Sequence, residues 1–193
     1  MILPVVATGD PILRKVAKDI DKDYPNLEEL VANMRETMHN SYGVGLAAPQ
    51  IGKAIRLFLV DTTPFSENED LSDIERENLK NFDRVFINAK IIKEEGEPWV
   101  FNEGCLSIPG IVEEVTRHPI VTIEYFDEEF SKHTEVLTGL PARVVQHEYD
   151  HLEGILFTDK ISSFKKRILR RKLENISKGK IDVDYAMKFP KAK

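Results

Sequence analysis

Between residues 26 and 40 the apolar positions Leu27, Leu30, Val31, Met34 and Met38 recur at intervals of three and four, the spacing of one helix face. Asn26 followed by Glu29 matches a capping box, so a helix over about 26–40 is predicted with its apolar stripe in the core. Ile55–Asp61 is a short run of strand character. Residues 62–81 are then dominated by Glu, Asp, Ser and Asn, with Leu71, Ile74 and Leu79 enough for one weak helical turn. This segment reads as an acidic surface excursion of a single domain, because nothing apolar enough for a second core follows it. Val85–Ile92, Ile111–Thr116, Ile120–Asp127 and Lys132–Leu137 are rich in Val, Ile, Thr and aromatics with turn residues between, and predict strands. Thr138-Gly139-Leu140-Pro141 opens another helix, since proline is tolerated in a first turn, and Gly154 closes it. A last helix over about 162–178 has Phe164, Ile168 and Leu169 on one side and Lys or Arg elsewhere. The order of elements predicts an α+β fold: one domain over 1–163, a basic C-terminal helix of the same domain over 164–180, and a flexible tail over 181–193.

Composition narrows the class. A chain of 193 residues with 41% hydrophobic and 31% charged positions suits one ordinary globular domain. The single cysteine excludes an internal disulfide framework and fits a reducing compartment. The apolar start Met1–Ala7 lacks a basic stretch and breaks off at Thr8-Gly9-Asp10-Pro11, so it does not read as a signal peptide. No apolar run approaches membrane-spanning length, and the cytoplasm is the expected compartment, with neither membrane nor DNA as a partner. The net charge of −6 conceals an asymmetry. Residues 164–193 hold eleven Lys or Arg against Glu174, Asp182 and Asp184, a net +8, which leaves −14 on the other 163 residues. The basic end is the part able to meet nucleic acid.

The chemistry concentrates in His147-Glu148-Tyr149-Asp150-His151. Side chains four apart on a helix differ by about 40° and about 6 Å, so both imidazoles can reach one cation. Glu148 falls about 100° from His147, close enough to serve water at that cation as a base without binding it. A third ligand is then required. A histidine six residues beyond the second is excluded, because Phe157 occupies that position. Glu174 is far enough along the chain to qualify, but beside Arg170, Arg171 and Lys172 it is better explained as a surface ion pair. The remaining candidate is Cys105, in Asn102-Glu103-Gly104-Cys105-Leu106-Ser107-Ile108-Pro109-Gly110, a segment that places it in a shaped loop or at a strand end. A Cys and two His would leave a fourth position open for water. A further segment, Gly43-Val44-Gly45-Leu46-Ala47-Ala48-Pro49-Gln50, reads either as a tight helix-to-strand connection or as a site loop, and Gln50 offers a neutral amide able to donate to an oxyanion.

Gly43–Gln50, Glu103–Ser107 and Gln146–His151 together closely resemble the three signature motifs of the peptide deformylase family, in the same order and with similar spacing; the resemblance runs from about Pro4 to Phe164. It implies antiparallel sheets around a central helix carrying the histidine pair, and hydrolytic removal of the formyl group from the N-terminal formylmethionine of new polypeptides. It further implies Cys105, His147 and His151 as ligands of Fe²⁺, with Zn²⁺, Ni²⁺ or Co²⁺ able to substitute, and Glu148 as general base and acid. The residues alone would favour Zn²⁺, since a thiolate and two imidazoles suit it. By the same resemblance Gln50 and the Leu106 N–H stabilise the oxyanion, and Gly43, Val44, Gly45, Glu103, Gly104 and Leu140 bind substrate. Arg143 is expected to line the pocket with its stem while its head reaches solvent. Asp150, with Arg117 as partner, is a candidate support for the ligands. A different amidase or peptidase on the same centre is the competing reading, and nucleic-acid association, in particular ribosome contact through Lys165–Lys172, is the other.

Overall fold

The computed structural model describes residues 1–190. Its centre is a five-stranded antiparallel sheet in the order β2-β3-β4-β7-β8, formed by Gly45–Ala47, Leu57–Asp61, Asp83–Glu95, Ile120–Phe126 and Lys132–Thr138. All five residues of β3 are buried because both faces of the sheet are covered. Leu57 and Leu59 meet Leu30, Val31, Met34 and Met38 of helix α1 (Leu27–Asn40) on one side. Phe58 and Val60 meet Ala142, Val145 and Leu152 of helix α3 (Gly139–Leu152) on the other. Strand alternation thus divides one apolar run between two cores. A separate hairpin, β5 (Trp99–Cys105) and β6 (Ile108–Arg117), stands beside α3, and helix α4 (Ser163–Ser177) packs behind it.

Several expectations are corrected. Asn26 is left-handed (φ 55°) and makes no side-chain cap, so the predicted capping box is absent although α1 begins beside it. The acidic excursion holds a full helix, α2 (Asp73–Lys80), started by a box in which the Glu75 N–H donates to Ser72 Oγ and the Ser72 N–H to Glu75 Oε2. On α4 the buried face is Leu169 and Ile176, while Phe164 and Ile168 point to solvent. The predicted flexible tail is instead an extended strap. Its strand β9 (Met187–Lys188) runs parallel to β1 (Val5–Val6), and Ile181, Met187 and Phe189 pack on the hairpin core, which gives the segment apolar anchors that a free tail lacks. Residues 191–193 of that prediction lie outside the described residues. Among the described residues, no helix is long and apolar enough to cross a membrane.

Candidate active site

Helix α3 presents His147 and His151 one turn apart, with ring centroids separated by 5.2 Å. It ends where Gly154 adopts φ +69°; a Cβ there would also lie 2.7 Å from the Arg14 carbonyl, so both conformation and space call for glycine. The hairpin supplies the third group. Its register shifts between Gly104 and Cys105, and that irregularity turns the thiol inward at the end of β5. Cys105 Sγ is 3.4 Å from His151 Nε2, and the ligating atoms of Cys105, His147 and His151 all lie within 4.8 Å of one another.

Behind this cluster lies a buried charge network. Glu103 Oε2 is 2.9 Å from His147 Nδ1, which leaves the opposite ring nitrogen free to ligate. The Arg117 guanidinium donates to both Glu103 oxygens at 2.7 and 2.9 Å and to Asp150 at 2.7 Å. Arg143 adds a bond to Glu103 at 3.0 Å, donates to the carbonyls of Val115 and Trp99, and stacks its guanidinium 4.5 Å over the Trp99 ring. Its head is therefore buried, contrary to the solvent-reaching arrangement expected from the sequence, because its two terminal nitrogens find acceptors on both hairpin strands. Burial would raise the Glu103 pKa, but the bonds from Arg117 and His147 hold it far below the usual carboxylate range. Burial opposes protonation of His147 too, yet Cys105 and Glu103 pull its pKa well above the ordinary value. His151, buried and beside His147, is pushed the other way.

Glu148 lies in the same cavity. Burial raises its pKa to about 7. Its Oε2 and the Nδ1 of His151 are buried without a partner among the described residues. Gly45 makes room for it: a Cβ at residue 45 would come within 2.7 Å of Glu148 Cδ. Gln50 is oriented by the Ala47 N–H, which donates to its Oε1 at 2.8 Å. The Gln50 NH₂ thus faces Cys105 Sγ (3.4 Å) and Ser107 Oγ (3.3 Å). A thiol and two imidazoles in ligating reach, with unpartnered polar atoms around them, fit a divalent cation.

The cluster opens into a cavity of about 520 Å³ whose walls include Gly43, Val44, Gly45, Gln50, Glu103, Gly104, Leu106 and Arg143. Leu140 does not line it. Seven residues before His147 it shares that histidine's face but stands about 10 Å away along the axis, and Val144, one turn from His147, takes the place expected for it. Helical spacing alone could have located Val144. Phe65, from a 3-10 turn at Thr63–Glu67 in the acidic excursion, also reaches the cavity, as does the strap segment Asp182–Tyr185. Neither carries a local sequence signal.

Residues 2–167 match the sequence model of the polypeptide deformylase family. The chain belongs to that family. It is 62% identical over 193 residues to the peptide deformylase of Christiangramia forsetii and 64% identical over the same length to that of Flavobacterium johnsoniae, covering all of this chain and 98% of each relative. Among solved structures, an inhibitor complex of Arabidopsis thaliana peptide deformylase 1B is similar with a TM-score of 0.78 and 36% identity, over 92% of both chains. The peptide deformylase of Thermotoga maritima is similar with a TM-score of 0.72 and 37% identity, over 84% of this chain and 99% of that one. The protein is accordingly a metal-dependent hydrolase that removes N-terminal formyl groups from nascent polypeptides.

Proposed function

We propose that Cys105, His147 and His151 bind Fe²⁺ and that Glu148 moves the proton in deformylation of N-formylmethionyl peptides. The observation that carries this reading is Glu148 itself, a buried carboxylate with a pKa of about 7 and an unpartnered oxygen beside the Cys/His/His cluster. A bound divalent cation supplies Lewis acidity, lowering the pKa of water and polarising the formyl oxygen. Glu148 accepts the proton of the attacking water and returns it to the departing amine, the two halves of general base and acid catalysis. The Gln50 amide and the Leu106 N–H meet the negative charge that develops on the formyl oxygen. Val44 and Val144 give the methionine side chain an apolar wall. Strand β2 is an edge of the central sheet, so an extended peptide backbone can pair with it. Glu103 and Arg143 act from behind the ligands by holding His147 and the hairpin.

The choice of Fe²⁺ rests on the family resemblance, since Zn²⁺, Ni²⁺ and Co²⁺ suit the same donors. Anaerobic purification with metal analysis, followed by a formate-release assay on a formyl-Met peptide, tests it: one iron per active chain is expected. An active chain that, purified under the same conditions, holds zinc and no iron would contradict it.

Helix α4 supports a further reading, in which the enzyme meets the ribosome and so works in the cytoplasm on emerging chains. Phe164 and Ile168 are exposed among Lys165, Lys166, Arg167, Arg170, Arg171 and Lys172, an apolar and cationic surface suited to RNA and its proteins. Charge reversal at Arg170 and Arg171 is expected to abolish co-sedimentation with ribosomes at low salt; unchanged co-sedimentation would overturn this reading.

A further inference from the structure

The strap that follows α4 does more than cover the hairpin. Ile181 lies over Gly110, and four residues later the Tyr185 hydroxyl donates to the Leu106 carbonyl at 2.7 Å, so the strap runs alongside residues 110 to 106 in the opposite direction. Beyond Tyr185 the chain joins the N-terminus: the Val5 N–H donates to Ala186 O at 2.8 Å and the Ala7 N–H to Lys188 O at 2.9 Å. The next residue of that N-terminal segment closes the loop, because the Thr8 N–H donates to the Ser107 carbonyl at 2.8 Å.

Leu106 and Ser107 are the two residues linking β5 to β6, between the paired positions Cys105 and Ile108. Carbonyls at such a link have no ladder partner and would otherwise turn toward water. Here both are held, one by the strap and one by the segment to which the strap is bonded. The same corner receives the Gln50 amide on Ser107 Oγ. With its following carbonyls fixed on two sides, the Cys105–Leu106 peptide unit has little freedom to rotate.

We propose that the strap Ile181–Lys188 is a working part of the active site, and that Tyr185 is a positioning residue that holds the Leu106 corner so that its N–H and Gln50 are aimed together at the oxyanion. The inference rests on the oxyanion role assigned above to Leu106. Preorganised donors act because they need no reorganisation as charge develops, so loosening the corner lowers turnover and leaves substrate affinity nearly intact.

The variant Tyr185→Phe removes the hydroxyl and keeps the ring. With metal content measured alongside, formate release from a formyl-Met peptide is expected to show kcat lowered about 3- to 10-fold, the effect of one neutral hydrogen bond, with KM within about twofold of wild type. Hydrogen exchange should quicken in a peptide spanning residues 105–107 and stay unchanged in α3. Unaltered kcat and unaltered exchange at the corner would overturn the proposal. So would a fall in activity that merely follows lost metal or a lowered melting temperature. Failure of the wild type itself to release formate would instead remove the oxyanion role of the site, so the two failures are distinct.

Discussion

Glu103, Arg117 and Arg143 sit behind the Cys/His/His cluster with side chains 2–5% exposed, whereas Glu174 and Lys178 pair across one turn of α4 with more than half of each side chain in water. Both sets join a carboxylate to cationic side chains, and the consequences differ. In the buried set each carboxylate oxygen and most guanidinium nitrogens have a partner, and the bonds tie β5, β6 and α3 to a single imidazole, His147. Desolvation offsets most of the attraction in such a network, so its value lies in a fixed geometry more than in net stability. The pair on α4 is screened by solvent and constrains nothing beyond its own turn. Buried charge here positions chemistry; exposed charge shapes the field that partners meet.

Breaking the buried set should give the largest effect. Glu103→Ala removes the carboxylate shared by Arg117, Arg143 and His147, and urea unfolding should show a loss of about 3–5 kcal/mol. Metal affinity should fall about 10- to 100-fold in a chelator titration, because the imidazole is no longer oriented. Gln50→Ala should lower kcat for formate release by about 100-fold or more while the fold and bound metal are retained, which separates oxyanion support from scaffolding. Glu148 is the opposite case, a buried carboxylate whose Oε2 has no partner among the described residues. Its folded pKa of about 7 lies above the ordinary 4.5, so burial favours the neutral form. That contribution is complete below about pH 4.5 and is lost as the pH rises through 7. In the metal-free protein Glu148→Gln should therefore be stabilising at pH 8 by roughly 2–3 kcal/mol, with the difference vanishing near pH 4, as thermal melts across that range would register. At the small end, Glu174→Ala should leave the melting temperature essentially unchanged. A larger shift would mean that α4 is coupled to the site.

The parts of this molecule that sequence reveals are those whose signal is local. The histidine pair and Gly154 lie within one helix, and β3 is a contiguous apolar run, so periodicity and punctuation locate both. Strand β5 escapes because Glu103 faces inward to the buried network, a polar residue at a core-facing position that disguises the alternation. The strap escapes because two residues of parallel pairing, Val5 with Met187 and Val6 with Lys188, join opposite ends of the chain. Phe65 could not be assigned to the cavity from a segment that reads as acidic surface. The inward turn of the Arg143 head was equally hidden, since its acceptors, Glu103 and the carbonyls of Trp99 and Val115, all belong to the hairpin.

In the mechanism proposed for the Cys/His/His centre, one buried carboxylate, Glu148, moves the proton. Formate release from a formyl-Met peptide by the Glu148→Ala variant, with metal quantified in the same anaerobic preparation, tests it most directly. A full complement of metal and a rate at least about 100-fold below wild type are expected. A variant that keeps its metal and turns over at the wild-type rate would contradict it.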